Sequence, residues 1–199
     1  MSTPDKKNIK LLVGLGNPGP EYADTRHNAG FWFIEEIANH YNLSLKLDKK
    51  FKSLTAKFTT DNHEVHLLMP QTYMNLSGSA VQSFCQFYKI TPAEILVAHD
   101  ELDFPAGVVK IKQSGGAGGH NGLKDIINKL GTPAFNRLRI GIGHPRNINA
   151  AFDAVHSYVL SKPNLSEKQN ILQALNLAYC ELDHLLKGDL QKAIQNLHT

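Results

Sequence analysis

The residues best suited to chemistry in this chain stand in loops. Asn17 sits in Gly14-Leu15-Gly16-Asn17-Pro18-Gly19, just after the apolar run from Ile9 to Val13. His27 follows in Thr25-Arg26-His27-Asn28-Ala29-Gly30, and Asn75 closes Gln71-Thr72-Tyr73-Met74-Asn75. Asp100 belongs to His99-Asp100-Glu101-Leu102-Asp103, and Asn121 to a glycine-rich stretch from Gly115 to Gly122. Each lies where a strand pattern gives way to a turn or a helix start. In open α/β sheets, sites are built at the carboxyl ends of strands. A histidine, an aspartate and three asparagines suit hydrolysis by water, without a metal or a covalent nucleophile. Taken alone, His27 reads as a surface or capping histidine. A strand-end Asp100 changes that reading: its carboxylate can accept from one ring nitrogen, fix the tautomer and leave the other nitrogen as a base. Their meeting in space is an expectation.

The elements that must position these groups follow from periodicity. Ile9–Gly14 reads as a buried strand and Asn28–Tyr41 as a helix with one apolar face. Leu54–Thr60 and Glu64–Met69, joined at Asp61-Asn62, form a hairpin pattern. Asn75 can cap a helix running to Tyr88. Ile95–His99 is a short strand ending at Asp100. Val108–Lys112 places Lys110 and Lys112 on one face, and Arg137–Ile142 places Arg137, Arg139 and Gly141 on one face. A helix runs from about Asn121 to Leu130; His120 and Asn121 are offered to a ligand at its start, a role compatible with Asn121 capping the helix. Ser166 and Gln169 suggest a capping box for a helix reaching Lys187, where Gly188 stops it, and a short helix closes the chain. The fold class expected is α/β: a single domain with a mixed twisted β-sheet flanked by helices. Residues 1–7 form a polar tail and 8–199 the domain.

Several familiar chemistries fail on spacing. The Gly14–Gly19 segment lacks the helix start and downstream acid of a dinucleotide site, because Pro18 and Pro20 interrupt it. Its glycines suit a tight strand exit, with Asn17 exposed at the tip. The Gly115–Gly122 loop permits close backbone approach but lacks the Lys-Ser/Thr end of a P-loop. Ten histidines show no metal-ligand spacing, so no metal or cofactor is expected. No serine stands in a nucleophile elbow. Cys85 and Cys180, the two cysteines, read as reduced core residues. A chain of 199 residues with net charge +3 and no membrane-length apolar run reads as cytoplasmic. The mild basicity permits a phosphate-bearing partner. Lys110, Lys112, Arg137 and Arg139 near the glycine loop offer a phosphate clamp, or else solvated strand faces.

With these motifs in order, the chain resembles the bacterial-type peptidyl-tRNA hydrolases over nearly its whole length. Gly-Leu-Gly-Asn-Pro-Gly, Thr-Arg-His-Asn-Ala-Gly, Thr-Tyr-Met-Asn-Leu-Ser-Gly, His-Asp-Glu-Leu-Asp and Gly-Gly-His-Asn-Gly-Leu-Lys carry the resemblance, and Arg139–Pro145 adds a sixth segment. It implies a monomeric esterase, needing no cofactor, that cuts the ester between a peptide and tRNA and so recycles tRNA from peptides dropped by ribosomes. The family's base falls on His27 and its orienting carboxylate on Asp100. Its amide contacts fall on Asn17, Asn75 and Asn121, its channel aromatics on Tyr22 and Tyr73. Its phosphate positions fall on Lys112 and Arg139, with Lys110 beside them. Arg146-Asn147 and Ala117 depart from the family's usual residues. Two rivals remain at this point: a non-catalytic RNA-binding module using the basic face, and an esterase of small molecules.

Overall fold

The computed structural model describes residues 7–60, 63–145 and 154–197. Seven strands form one sheet in the order β2-β3-β4-β1-β5-β7-β6: β1 Leu11–Gly14, β2 Lys46–Asp48, β3 Ser53–Thr59, β4 Glu64–Pro70, β5 Ile95–Glu101, β6 Val109–Gln113 and β7 Asn136–Gly141. β1 pairs in parallel with β4 and β5, and β5 with β7. The outer pairs β2–β3, β3–β4 and β6–β7 are antiparallel. The helices are α1 Ala29–His40, α2 Ser77–Tyr88, α3 Asn121–Leu130, α4 Ala154–Val159, α5 Leu165–Cys180, α6 Leu182–Leu186 and α7 Leu190–Leu197.

Alternation along β1 divides the interior. Leu12 enters a core with Phe33, Ile34 and Ile37 of α1 and with α5. Leu11, Val13 and Leu15 enter another with Val81 and Phe84 of α2 and with Leu123 and Ile126 of α3. The helix after β1 therefore covers one face of the sheet and the helix after β4 the other. A crevice opens at the carboxyl ends between neighbouring parallel strands whose helices diverge in this way. Glycine makes the crevice tight: a side chain at Gly30 would collide with Ala98 O and the backbone of Leu15. The turn that carries His27 is thus seated directly on β1 and β5.

Several boundaries differ from the sequence reading. β5 runs on to include Asp100 and Glu101. Asn75 does not cap α2; it lies in a 3-10 turn, Met74–Leu76, and makes no capping bond. The cap of α3 is His120, whose ring accepts from Leu123 N, so Asn121 is left on the first turn. The box of α5 is Asn164 with Glu167, two residues before the expected Ser166 and Gln169. That helix stops at Cys180, and α6 turns away to bury Leu182, Leu185 and Leu186. Cys85 is buried but Cys180 is exposed, which corrects its placement in the core. β2 and α4 had no sequence counterpart. The polar-tail reading falls outside the described residues except for exposed Lys7, and so do the Asp61-Asn62 turn and the Arg146-Asn147 departure.

Candidate active site

His27 lies in the 3-10 turn Arg26–Asn28 that leads into α1. Arg26, beside it, is buried and donates to Ser161 O, Ser161 Oγ and Lys162 O, and to Glu167 Oε2 at 2.7 Å. Its guanidinium also stacks 4.1 Å over the Tyr158 ring. The turn is therefore pinned to α4 and α5 through Arg26, which leaves His27 to face the crevice.

Asp100 comes from β5 and is 4% exposed. His27 Nδ1 lies 2.8 Å and His120 Nε2 3.0 Å from the same oxygen, Asp100 Oδ1. His120 Nδ1 accepts from Leu123 N at 3.3 Å, so its proton is on Nε2 and points at the carboxylate. His99 turns the other way: Nδ1 donates to Asp100 O at 2.7 Å, and its buried Nε2 has no partner among the described residues. Burial, aided by the neighbouring His120, pushes His99 down to about 3, so this ring stays neutral. Burial alone would raise the Asp100 carboxyl. The two imidazoles on Oδ1 outweigh it and hold the group well below the usual carboxylate range. Burial likewise opposes charge on His27, but the charge and hydrogen bond of Asp100 leave its pKa raised.

Asn17 is brought to the same place, though not as an exposed tip; it is 7% exposed. Its Oδ1 accepts from Met74 N at 2.8 Å, and its backbone exchanges hydrogen bonds with the Asn28 side chain. The oxygen is committed across the β1–β4 crevice, so only the Nδ2 amide remains to offer a ligand. Asn17, His27, Tyr73, Asn75 and Asn121 line a cavity of about 220 Å³. An adjoining cavity of about 480 Å³ is bordered by His27, Asp100, His120, Asn121 and the α4 residues Val155 and His156. Tyr73 is exposed. Tyr22 borders neither cavity; its backbone carbonyl anchors Thr25.

The basic residues stand apart, on β6 and β7. Lys110 faces Arg139 and Lys112 faces Arg137 across the ladder, so the expected face of each strand is joined to the other's. Their environments differ. Lys112 is exposed and Lys110 partly so. Arg139 pairs with Glu101 at 2.8 Å. Arg137 is buried and donates to Gly115 O and Gly116 O, so it holds the glycine loop and is not available as a clamp.

Arg26 is the site residue the sequence reading missed, and Arg137 was assigned to the clamp when it holds the glycine loop. The two arginines find partners far away in sequence, which spacing cannot reveal. His120 carried a signal, its position at the junction of glycine loop and helix. His27, Asp100 and His120 also place ligand atoms within 4.8 Å of one another. A divalent cation among them would have to replace both hydrogen bonds to Asp100.

An imidazole–carboxylate pair beside convergent amides, in the crevice where the two helix layers part, is the equipment of an α/β hydrolytic enzyme. Comparison with known proteins narrows the class. The model of the family described as peptidyl-tRNA hydrolase matches residues 11–199. The peptidyl-tRNA hydrolase of Photorhabdus laumondii is 54% identical over 193 residues, 96% of each chain. That of Vibrio cholerae is 52% identical over 192 residues, again 96% of each. The crystal structure of peptidyl-tRNA hydrolase from Acinetobacter baumannii superposes with a TM-score of 0.91 at 46% identity, covering 98% of this chain and 97% of that one. The chain belongs to the peptidyl-tRNA hydrolase family.

Proposed function

We propose that this chain performs the reaction of its family, hydrolysis of peptidyl-tRNA, with His27 as general base on water. The observation that carries the reading is the 2.8 Å contact between His27 Nδ1 and Asp100 Oδ1. It commits the Nδ1 proton to the carboxylate and leaves the Nε2 lone pair as the base. Nε2 takes a proton from water as the oxygen attacks the ester carbonyl, and Asp100 stabilises the imidazolium that forms. Asn17 Nδ2 donates to the carbonyl oxygen as it gains charge. The bond to the ribose oxygen then breaks, and the imidazolium returns its proton to that oxygen. Asn75 and Asn121 hold peptide amides without adding charge, which suits cleavage blind to side chains. Tyr73 borders the reacting end, and Tyr22 supports the turn that leads to His27. Lys110, Lys112 and Arg139 receive tRNA phosphates. The chain works as a monomer in the cytoplasm and needs no cofactor.

Among the described residues no helix is long and apolar enough to cross a membrane. The deciding experiment compares N-acetylated with free aminoacyl-tRNA. Cleavage of the blocked ester and sparing of the free one is expected. A non-catalytic RNA-binding module would cut neither, and an esterase of small molecules would not depend on the tRNA.

A further inference from the structure

A second cavity, of about 440 Å³, opens on the α1 side of Asn17. Its size is that of a site for a small ligand or a few residues of chain. Its inner end is bordered by Asn17 and Asn28, its floor by Phe31, Trp32 and Met69, and part of its rim by Glu35 and Glu36. Asn17 also borders the cavity that holds His27, so one residue is shared by the walls of the two spaces. None of the catalytic steps above uses this second space.

The walls are organised. Trp32 is fixed by donating from Nε1 to Ala23 O at 2.8 Å. Lys168 lies 3.0 Å over the same ring, so its ammonium is engaged with the indole face. Three carboxylates, Asp24, Glu35 and Glu36, border the cavity against that one ammonium. Lys162 pairs with Asp24 at 3.1 Å and His40 approaches Glu36 at 3.2 Å. Glu35 has neither partner but lies within the field of Lys168. The opening is thus weakly acidic, whereas β6 presents Lys110 and Lys112. A polyanion is favoured at one side and a chain able to carry positive charge at the other.

We infer that this cavity is a subsite for the peptide upstream of the ester, taking the residues that follow past Asn17 and preferring cationic over anionic side chains. The inference rests on the hydrolase reading above. Apolar floor groups accept the aliphatic stem of a lysine or arginine while its head stays near Glu35. A glutamate would meet like charge at the same place.

The test uses three esters on one tRNA: N-acetyl-Phe, N-acetyl-Lys-Lys-Phe and N-acetyl-Glu-Glu-Phe. The expected kcat/KM favours the lysine peptide over the glutamate peptide by roughly two- to fivefold, the range of exposed charge pairs, and the preference shrinks at high salt. A Glu35→Lys/Glu36→Lys variant should reverse the order. Leu172→Trp, which narrows the mouth of the cavity, should slow both tripeptide esters relative to N-acetyl-Phe. Equal rates for the two tripeptides in the native enzyme overturn the subsite while leaving the hydrolase reading intact. Failure to cut N-acetyl-Phe-tRNA overturns both.

Discussion

Asp100 and Lys112 lie two strands apart in one sheet, β5 and β6 flanking β7, and they treat charge in opposite ways. Asp100 is buried and accepts from two imidazoles. Lys112 is exposed and opposite Arg137, whose own guanidinium is spent on the glycine loop. The first charge is compensated within the protein before substrate arrives; the second is left for the solvent or a partner. Arg139 is intermediate, half-buried and already paired with Glu101. Local compensation fixes geometry and proton affinity, so damage there appears in turnover and pH dependence. An uncompensated surface charge acts through a screened field, so damage there appears in binding and salt dependence.

Five substitutions test that division. His27→Ala should lose the most, about 10²- to 10⁴-fold in kcat, with an unchanged thermal unfolding profile. Turnover near that of the native enzyme would remove His27 from the chemistry. Asn17→Asp keeps an oxygen for Met74 N but replaces the Nδ2 donor. The expected loss is about 10²- to 10³-fold in kcat, with a smaller advantage of N-acetylated over free aminoacyl-tRNA. An unchanged ratio would show that Asn17 does not discriminate between them.

Asp100→Asn should cost about 10- to 100-fold, since the base persists with weaker basicity and one pKa unit is worth about 1.4 kcal/mol. The sign of its pH effect is definite. Asp100 raises the proton affinity of His27 against an opposing effect of burial. Without the carboxylate only the opposition remains, so His27 titrates lower and the rising limb of the rate profile moves to lower pH while the plateau falls. A limb that stays in place would uncouple the pair. Lys112→Ala should do least to kcat. It should raise the KM for full-length peptidyl-tRNA and flatten the salt dependence by about one unit of slope. Arg139→Ala should do less, because Glu101 already offsets that charge. Equal losses on a short substrate without acceptor-stem phosphates would assign both residues to the fold or the site.

What could be read from the sequence was whatever is local in it. Period-two alternation placed Lys110 with Lys112, and Arg137 with Arg139, on one face of each strand, and the ladder sets the two pairs opposite each other. Turn residues after apolar runs placed Asn17 and Asp100 at strand ends, and His27 in the loop before a helix. Choices between equivalent local signals were not legible. Asn164–Glu167 and Ser166–Gln169 both fit a capping box. The first forms because Glu167 Oε2 also receives Arg26 Nη2, a partner 141 residues away. In the same way Asn121 looked like the cap of α3, but His120 takes that role while also reaching Asp100. The break between α5 and α6 is set by burial of Leu185 and Leu186 and by the bond from Ile9 N to Leu186 O.

The reach of Arg26 has a consequence for the order of events in synthesis. Its acceptors, Tyr158 O to Glu167 Oε2, lie 132 to 141 residues down the chain. A chain emerging from the ribosome folds its amino-terminal parts first. The turn that carries His27 is made early, yet its anchor exists only after α4 and the start of α5 have emerged. The anchoring of His27 is therefore a late property of the growing polypeptide. An unfinished copy, itself still esterified to tRNA, has the strands of the sheet before the turn that carries His27 is anchored.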